Sequence, residues 1–143
     1  MKHLKFFYVS LLVLFLTAGC AALSNTSRKT SPPLPPGTLN AQEVTALFSD
    51  RTAESILYSN NRVSLTYYNP NGNVRQLQKG LKRDGVWRVR GDGRICLQFG
   101  PEREQCRIIV KEGEKYVKYI VKKDGRHERV LAYTSFIQGN AVD

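Results

Sequence analysis

The apolar positions of this chain change period once. From Leu39 to Ser49 they recur at helical spacing, with Val44, Leu47 and Phe48 forming one stripe about two and a half turns long. Asn40 stands where an N-cap belongs, Glu43 follows three residues later to close a capping box, and Leu39 and Val44 occupy the two staple positions. After Asp50 the period is two, as in Val63, Leu65 and Tyr67 set against Arg62, Ser64, Thr66 and Tyr68. Further short runs follow at 74–77, 86–90, 95–99, 107–111, 116–122 and 129–133, with a first one near 56–58. Turn residues separate them: Asn69 to Asn73, Asp84-Gly85, Gly91 to Gly93, Gly100-Pro101, Glu112-Gly113 and Asp124-Gly125. Asn71-Gly72 suits the positive φ values of a tight hairpin. Short turns join antiparallel neighbours in chain order. The pattern therefore predicts a mainly β domain, with one short N-terminal helix followed by seven or eight strands as an antiparallel meander. Its sheet is a curved one or a small up-and-down barrel. Trp87, alternating with Val89, reads as a core anchor with Arg88 and Arg90 facing outward.

The first residues follow neither period. Met-Lys-His-Leu-Lys opens the chain, Phe6 to Leu16 is apolar except for Ser10, and Thr17-Ala-Gly precedes Cys20. A basic start, a short apolar centre and small residues at a cut site have the form of a secretory signal peptide, and the run is too short to span the ~30 Å of a bilayer core. Thr-Ala-Gly-Cys20 resembles the lipobox of bacterial lipoproteins, in which the cysteine is acylated and becomes the new N-terminus. That resemblance implies removal of 1–19 and anchoring through fatty acyl chains on Cys20. Ala21 and Ala22, in place of an Asp after the cysteine, imply the periplasmic side of the outer membrane. Ordinary cleavage near Ala21 or Ala22, releasing a soluble protein, is the alternative. Residues 20–38 read as a tether, polar and then proline-rich at 32, 33, 35 and 36. Residues 39–137 make a single domain and 138–143 a C-terminal tail.

Three cysteines leave one pair after Cys20 is assigned. Cys96 and Cys106 flank Gly100-Pro101 in a compartment where disulfides persist, so a bridge across a hairpin is expected. Strict alternation sets Cys96 opposite Ile95, Leu97 and Phe99 but puts Cys106 on the face of Ile108 and Val110, which calls for a bulge or a kinked hairpin. No metal site is expected, because two cysteines without a nearby histidine make a poor zinc shell. No cofactor motif is present.

The run Gly85-Val-Trp-Arg-Val-Arg-Gly-Asp92, with Cys96 and Cys106 after it and Tyr68-Asn-Pro-Asn-Gly72 before it, resembles a family of small exported proteobacterial proteins known only as a domain of unknown function. The similarity covers about residues 39–120. It implies a β-rich disulfide domain and no activity.

The 143 residues carry a formal charge of +10, and loss of Lys2 and Lys5 with the leader leaves 20 basic against 12 acidic residues, or +8. That balance favours an anionic partner, and export disfavours nucleic acid. Arg88, Arg90, Arg107, Lys111, Lys118 and Lys122 are the candidate anion-binding residues, arranged by alternation into an outward basic face. His127 lies in a charged turn and lacks the orienting partner and nucleophile that a catalytic imidazole needs. The carboxylate pairs Glu102/Glu104 and Glu112/Glu114 sit beside turns, where a raised catalytic pKa is not expected. No nucleophile elbow, HExxH, P-loop or dinucleotide fingerprint occurs. The expectation is a non-enzymatic envelope lipoprotein that binds an anionic lipid or glycan, or an envelope protein. A small barrel inhibitor of a hydrolase, of a protease sooner than a lysozyme, is the alternative, and an envelope hydrolase stands behind both.

Overall fold

The computed structural model describes residues 32–143. The leader, Cys20 and the first part of the tether lie outside the described residues. Helix α1 (Ala41–Phe48) is followed by eight strands: β1 (Arg51–Leu57), β2 (Val63–Tyr68), β3 (Asn73–Gln78), β4 (Leu81–Val89), β5 (Ile95–Phe99), β6 (Gln105–Glu112), β7 (Lys115–Val121) and β8 (His127–Gln138). Each strand pairs antiparallel with the next, and β8 returns to pair with β1, so the sheet closes into a barrel. Closure leaves no terminal strand with unpaired backbone groups. Among the described residues no helix is long and apolar enough to cross a membrane.

The capping box forms as the sequence predicts: Glu43 N–H donates to Asn40 Oδ1 at 3.0 Å, and Asn40 N–H donates to the Glu43 carboxylate at 2.8 Å. With the helix start fixed, Val44 and Phe48 turn into one end of the barrel and are fully buried. The Phe48 ring meets Tyr68, Tyr133 and Phe136 edge to face at 4.8, 5.1 and 5.4 Å. Trp87 joins the same cluster against Tyr68, and its indole N–H donates to the Asn69 carbonyl at 2.7 Å. This aromatic layer is the core and it stops one end of the barrel.

Several local readings are corrected. Asp84-Gly85 is not a turn but the middle of β4, where the Gln98 carbonyl comes so close that an added Cβ would lie 2.2 Å from it. The hairpin turn before β4 is Lys79-Gly80, with φ of 53° and 74°, the positive pair that a two-residue connection demands. In the Asn69–Asn73 loop only Gly72 has positive φ; Gly72 N–H donates to the Asn69 carbonyl around Pro70-Asn71. β1 begins directly after the helix, and β8 runs for 12 residues because it must reach both β7 and β1.

Cys96 and Cys106 are direct partners in register, bridged across β5 and β6 without a bulge. The predicted conflict came from assigning Ile108 and Val110 to the core. They point outward, into a second cluster with Val117 and Tyr119, while Ile109 points into the barrel. Beyond Arg107 the edge of β6 loses β5 and gains the incoming chain: Leu39 N–H donates to the Ile109 carbonyl and Lys111 N–H to the Gly37 carbonyl, both at 2.8 Å. Gly37 needs its φ of 79° here, since a Cβ would meet the Lys111 carbonyl at 2.5 Å. Residues 138–143 also lie against the barrel, with Val142 buried and Ala141 N–H bonded to the Thr52 hydroxyl.

Candidate functional site

Inward-facing positions change character along the barrel. At the end stopped by α1 they are aromatic; toward the other end they are Ser55 on β1, Ser64 and Thr66 on β2, Gln76 and Gln78 on β3, Arg83 on β4, Gln105 and Arg107 on β6, and Lys118 on β7. An eight-stranded barrel is just wide enough for its side chains to fill it or to enclose one small ligand. Here filling is incomplete, and a cavity of about 240 Å³ opens at the end away from the helix. Leu57, Leu97, Phe99, Val130 and Leu131 line its remaining wall, and Tyr133 lies among the lining residues too.

Neighbouring side chains hold this lining in place. Ser55 and Ser64 share a hydroxyl hydrogen bond of 3.0 Å across the β1–β2 pair. The Gln76 amide donates to the Thr66 hydroxyl at 3.0 Å and accepts from Arg83 Nε at 2.8 Å. Arg83 lies over the Phe99 ring at 4.0 Å and reaches Glu102 at the mouth at 3.5 Å. Arg107 donates to the Gln105 side chain and to the Cys106 carbonyl at 2.9 and 3.0 Å. The disulfide behind it pins the hairpin that carries Arg107.

Lys118 is the exception to that mutual satisfaction. It is 8% exposed, its ammonium lies 5.6 Å from the Tyr133 ring centre, and among the described residues no carboxylate is in ion-pair contact with it. Burial first, and then the positive charge of Arg107, bring its pKa from the usual lysine range down to about 7. Burial also pushes the Arg107 guanidinium below its ordinary value. The Tyr133 hydroxyl is buried as well, with the Tyr68 hydroxyl as its polar neighbour.

The six basic residues singled out from sequence do not share one face. Arg107 and Lys118 come together inside the barrel. Arg88 lies outside, held bidentately by Glu104 at 2.6 Å on both oxygens; Arg90 pairs with Asp92 at 3.3 Å and Lys122 with Glu128 at 2.7 Å. Lys111 is exposed and engaged through its backbone. Arg83, Gln76, Gln78, Ser55, Ser64 and Thr66 belong to the cavity although the sequence reading did not select them. The signal that could have found them is the run of polar residues at every second position of β2 and β3.

Comparison with protein-family models and with curated proteins gave no match.

The carboxylates weighed as catalytic pairs are separated by their partners: Glu102 faces Arg83, Glu104 is held below the usual carboxylate range by Arg88, and Glu112 is held down by the Tyr119 hydroxyl and Arg129. His127 begins β8 and is half-buried rather than exposed, with a buried Nε2 lacking a partner. Among the described residues the one grouping of metal-ligand types is Cys96, Glu104 and Cys106, and both sulfurs are committed to the disulfide.

Proposed function

We propose that this chain is an extracytoplasmic, lipid-anchored binding protein, without catalytic activity, whose barrel lumen receives the anionic part of an envelope ligand. One observation carries the binding site: Lys118 is buried in the lumen beside Arg107 with no carboxylate in ion-pair contact among the described residues, the lining acid, Glu102 at the mouth, being engaged by Arg83. Two like charges in a desolvated space are costly unless an anion arrives to compensate them. Of the outer candidates, Arg88, Arg90 and Lys122 are each paired with a neighbouring acid, and exposed pairs of that kind contribute little. The anchor rests on the Thr17-Ala-Gly-Cys20 motif. Acyl chains contribute ~0.8 kcal/mol per buried CH₂, and several together hold a protein at a bilayer.

The test is calorimetric titration of full-length protein, in a non-ionic detergent, with inorganic phosphate and with acetate at pH 6. Binding by the wild type, weakened at least tenfold in both Lys118→Met and Arg107→Gln, is the expected result. Equal binding in wild type and both variants rejects the lumen as the site. For the anchor, Cys20→Ser is expected to move the protein from the membrane to the soluble fraction, and the purified wild type is expected to carry the mass of the acyl groups. Unmodified mass with the leader still attached would reject it.

A further inference from the structure

The lumen is asymmetric in a way that a charge site alone does not require. Most of the hydroxyls and amides come from three consecutive strands, with Ser55, Ser64, Thr66, Gln76 and Gln78 forming one wall across β1, β2 and β3, while the remaining amide, Gln105 on β6, is bonded to Arg107. The cations Arg107 and Lys118 come from β6 and β7. Between them lie apolar faces, Leu97 and Phe99 on β5 and Val130 and Leu131 on β8. A fatty acyl chain would offer no hydrogen bond to the hydroxyl and amide wall, where Ser55 and Ser64, and Gln76 and Thr66, satisfy one another only in part and Gln78 has no side-chain partner among the described residues; each buried polar group left short of a partner costs on the order of 1–3 kcal/mol. The apolar tunnel that a long chain needs is also missing, because Phe48, Tyr68, Trp87 and Tyr133 fill the barrel beyond the cavity.

A bare phosphate fits no better. The cavity of about 240 Å³ has room for about eight waters at ~30 Å³ each, so a single small ion would leave most of it wet and the polar wall unused. It is nevertheless smaller than the ~300–1,000 Å³ of pockets that take drug-sized molecules. A sugar ring meets all three surfaces at once: its hydroxyl edge suits the Ser, Thr and Gln wall, its C–H faces suit Leu97 and Leu131, and an acidic substituent suits Lys118 and Arg107.

Resting on the lumen reading above, we propose that the occupant is one hydroxylated anionic ring, an acidic or phosphorylated monosaccharide unit, either free or at the end of a glycan. The acid turns toward Lys118 and Arg107, and the ring hydroxyls turn toward β1–β3. Other charged or titratable groups facing Lys118 across the lumen are Tyr68 on β2, Arg83 on β4 and Glu102 at the mouth. Only Glu102 carries negative charge, and it is engaged by Arg83.

Full-length protein in a polyoxyethylene detergent is titrated with glucuronate, a glucuronate-ended oligosaccharide, glucose, acetate, inorganic phosphate and octanoate at pH 6, alongside Lys118→Met and the double variant Ser64→Ala/Gln78→Leu. Circular dichroism melts verify that each variant is folded. Glucuronate or the oligosaccharide is expected to bind at least tenfold tighter than acetate or glucose; whichever of the two binds tighter identifies the source. The double variant is expected to lose at least fivefold for the sugar acid and nothing for phosphate, while Lys118→Met weakens both. If phosphate binding depends on Lys118 but glucuronate binds no tighter than acetate, or the double variant leaves it unchanged, the sugar assignment falls and the anion site stands. Octanoate binding tighter than glucuronate overturns the assignment in favour of an amphiphile.

Discussion

A lysine enclosed without a counter-charge weakens the barrel around it, because the unfolded chain hydrates that ammonium fully and the folded one does not. The folded pKa of Lys118, about 7, lies below its ordinary 10.5, so between those values the unfolded chain holds the proton more tightly. The loss of stability is therefore complete below pH 7 and is relieved as pH rises toward 10. Lys118→Met, with its flexible apolar side chain, is expected to raise stability at pH 6 by on the order of 2–5 kcal/mol. Urea melts at pH 6 and pH 9.5 should show that gain shrinking at the higher pH; a gain equal at both would contradict the account. This residue was hard to recognise in the sequence. Tyr116-Val-Lys-Tyr-Ile-Val is apolar at both parities, so the one charge in it reads as outward-facing. The inference fails because the open half of a closed barrel is lined by polar side chains, which therefore belong inside as well as on the surface.

Strands and turns were more legible than their facing. The order of the strands follows from the period-two runs, with seven or eight expected and eight present, although β4 runs through Asp84-Gly85 and the turn lies at Lys79-Gly80 instead; Asn40 with Glu43 marks the helix start to the residue. β6 was read inside out, since Ile108, Ile109 and Val110 offer two apolar faces and local alternation has nothing with which to choose between them. The choice is made by tertiary context: Arg107 and Ile109 share the lumen face, and the disulfide occupies the outer one. Cross-linking β5 to β6 closes a short loop in the unfolded chain, a constraint expected to contribute about 2–3 kcal/mol. The Cys96→Ser/Cys106→Ser variant should thus melt lower in urea by that amount and bind phosphate more weakly, because Arg107 sits next to the bridge. Unchanged stability and binding would show that the hairpin is held by its neighbours alone.

Taken together, the barrel has one blind end and one open one, and the two are made from different chemistry. Aromatic side chains and α1 give the blind end its rigidity, while Ser, Thr, Gln, Arg and Lys leave room at the other. Conflict between core packing and site polarity is avoided because the same strands run through both layers, so that Thr66 and Tyr68 serve different ends of β2. Neither the closure of β8 on β1 nor this division is visible from local pattern, which reports the period of a strand but not the curvature of a sheet.

The bonds from Gly37 and Leu39 to β6 carry a further consequence. Those few residues act as the last stitch in a seam, covering main-chain groups that β5 leaves bare past Arg107. Proteolytic trimming to Asn40 would open that stitch and present Ile109 to Lys111 as an adhesive border on which a second molecule could lay a strand. Light scattering at 37 °C should find such trimmed protein associating while the untrimmed form stays monodisperse, and equal scattering from both would show the seam to be dispensable.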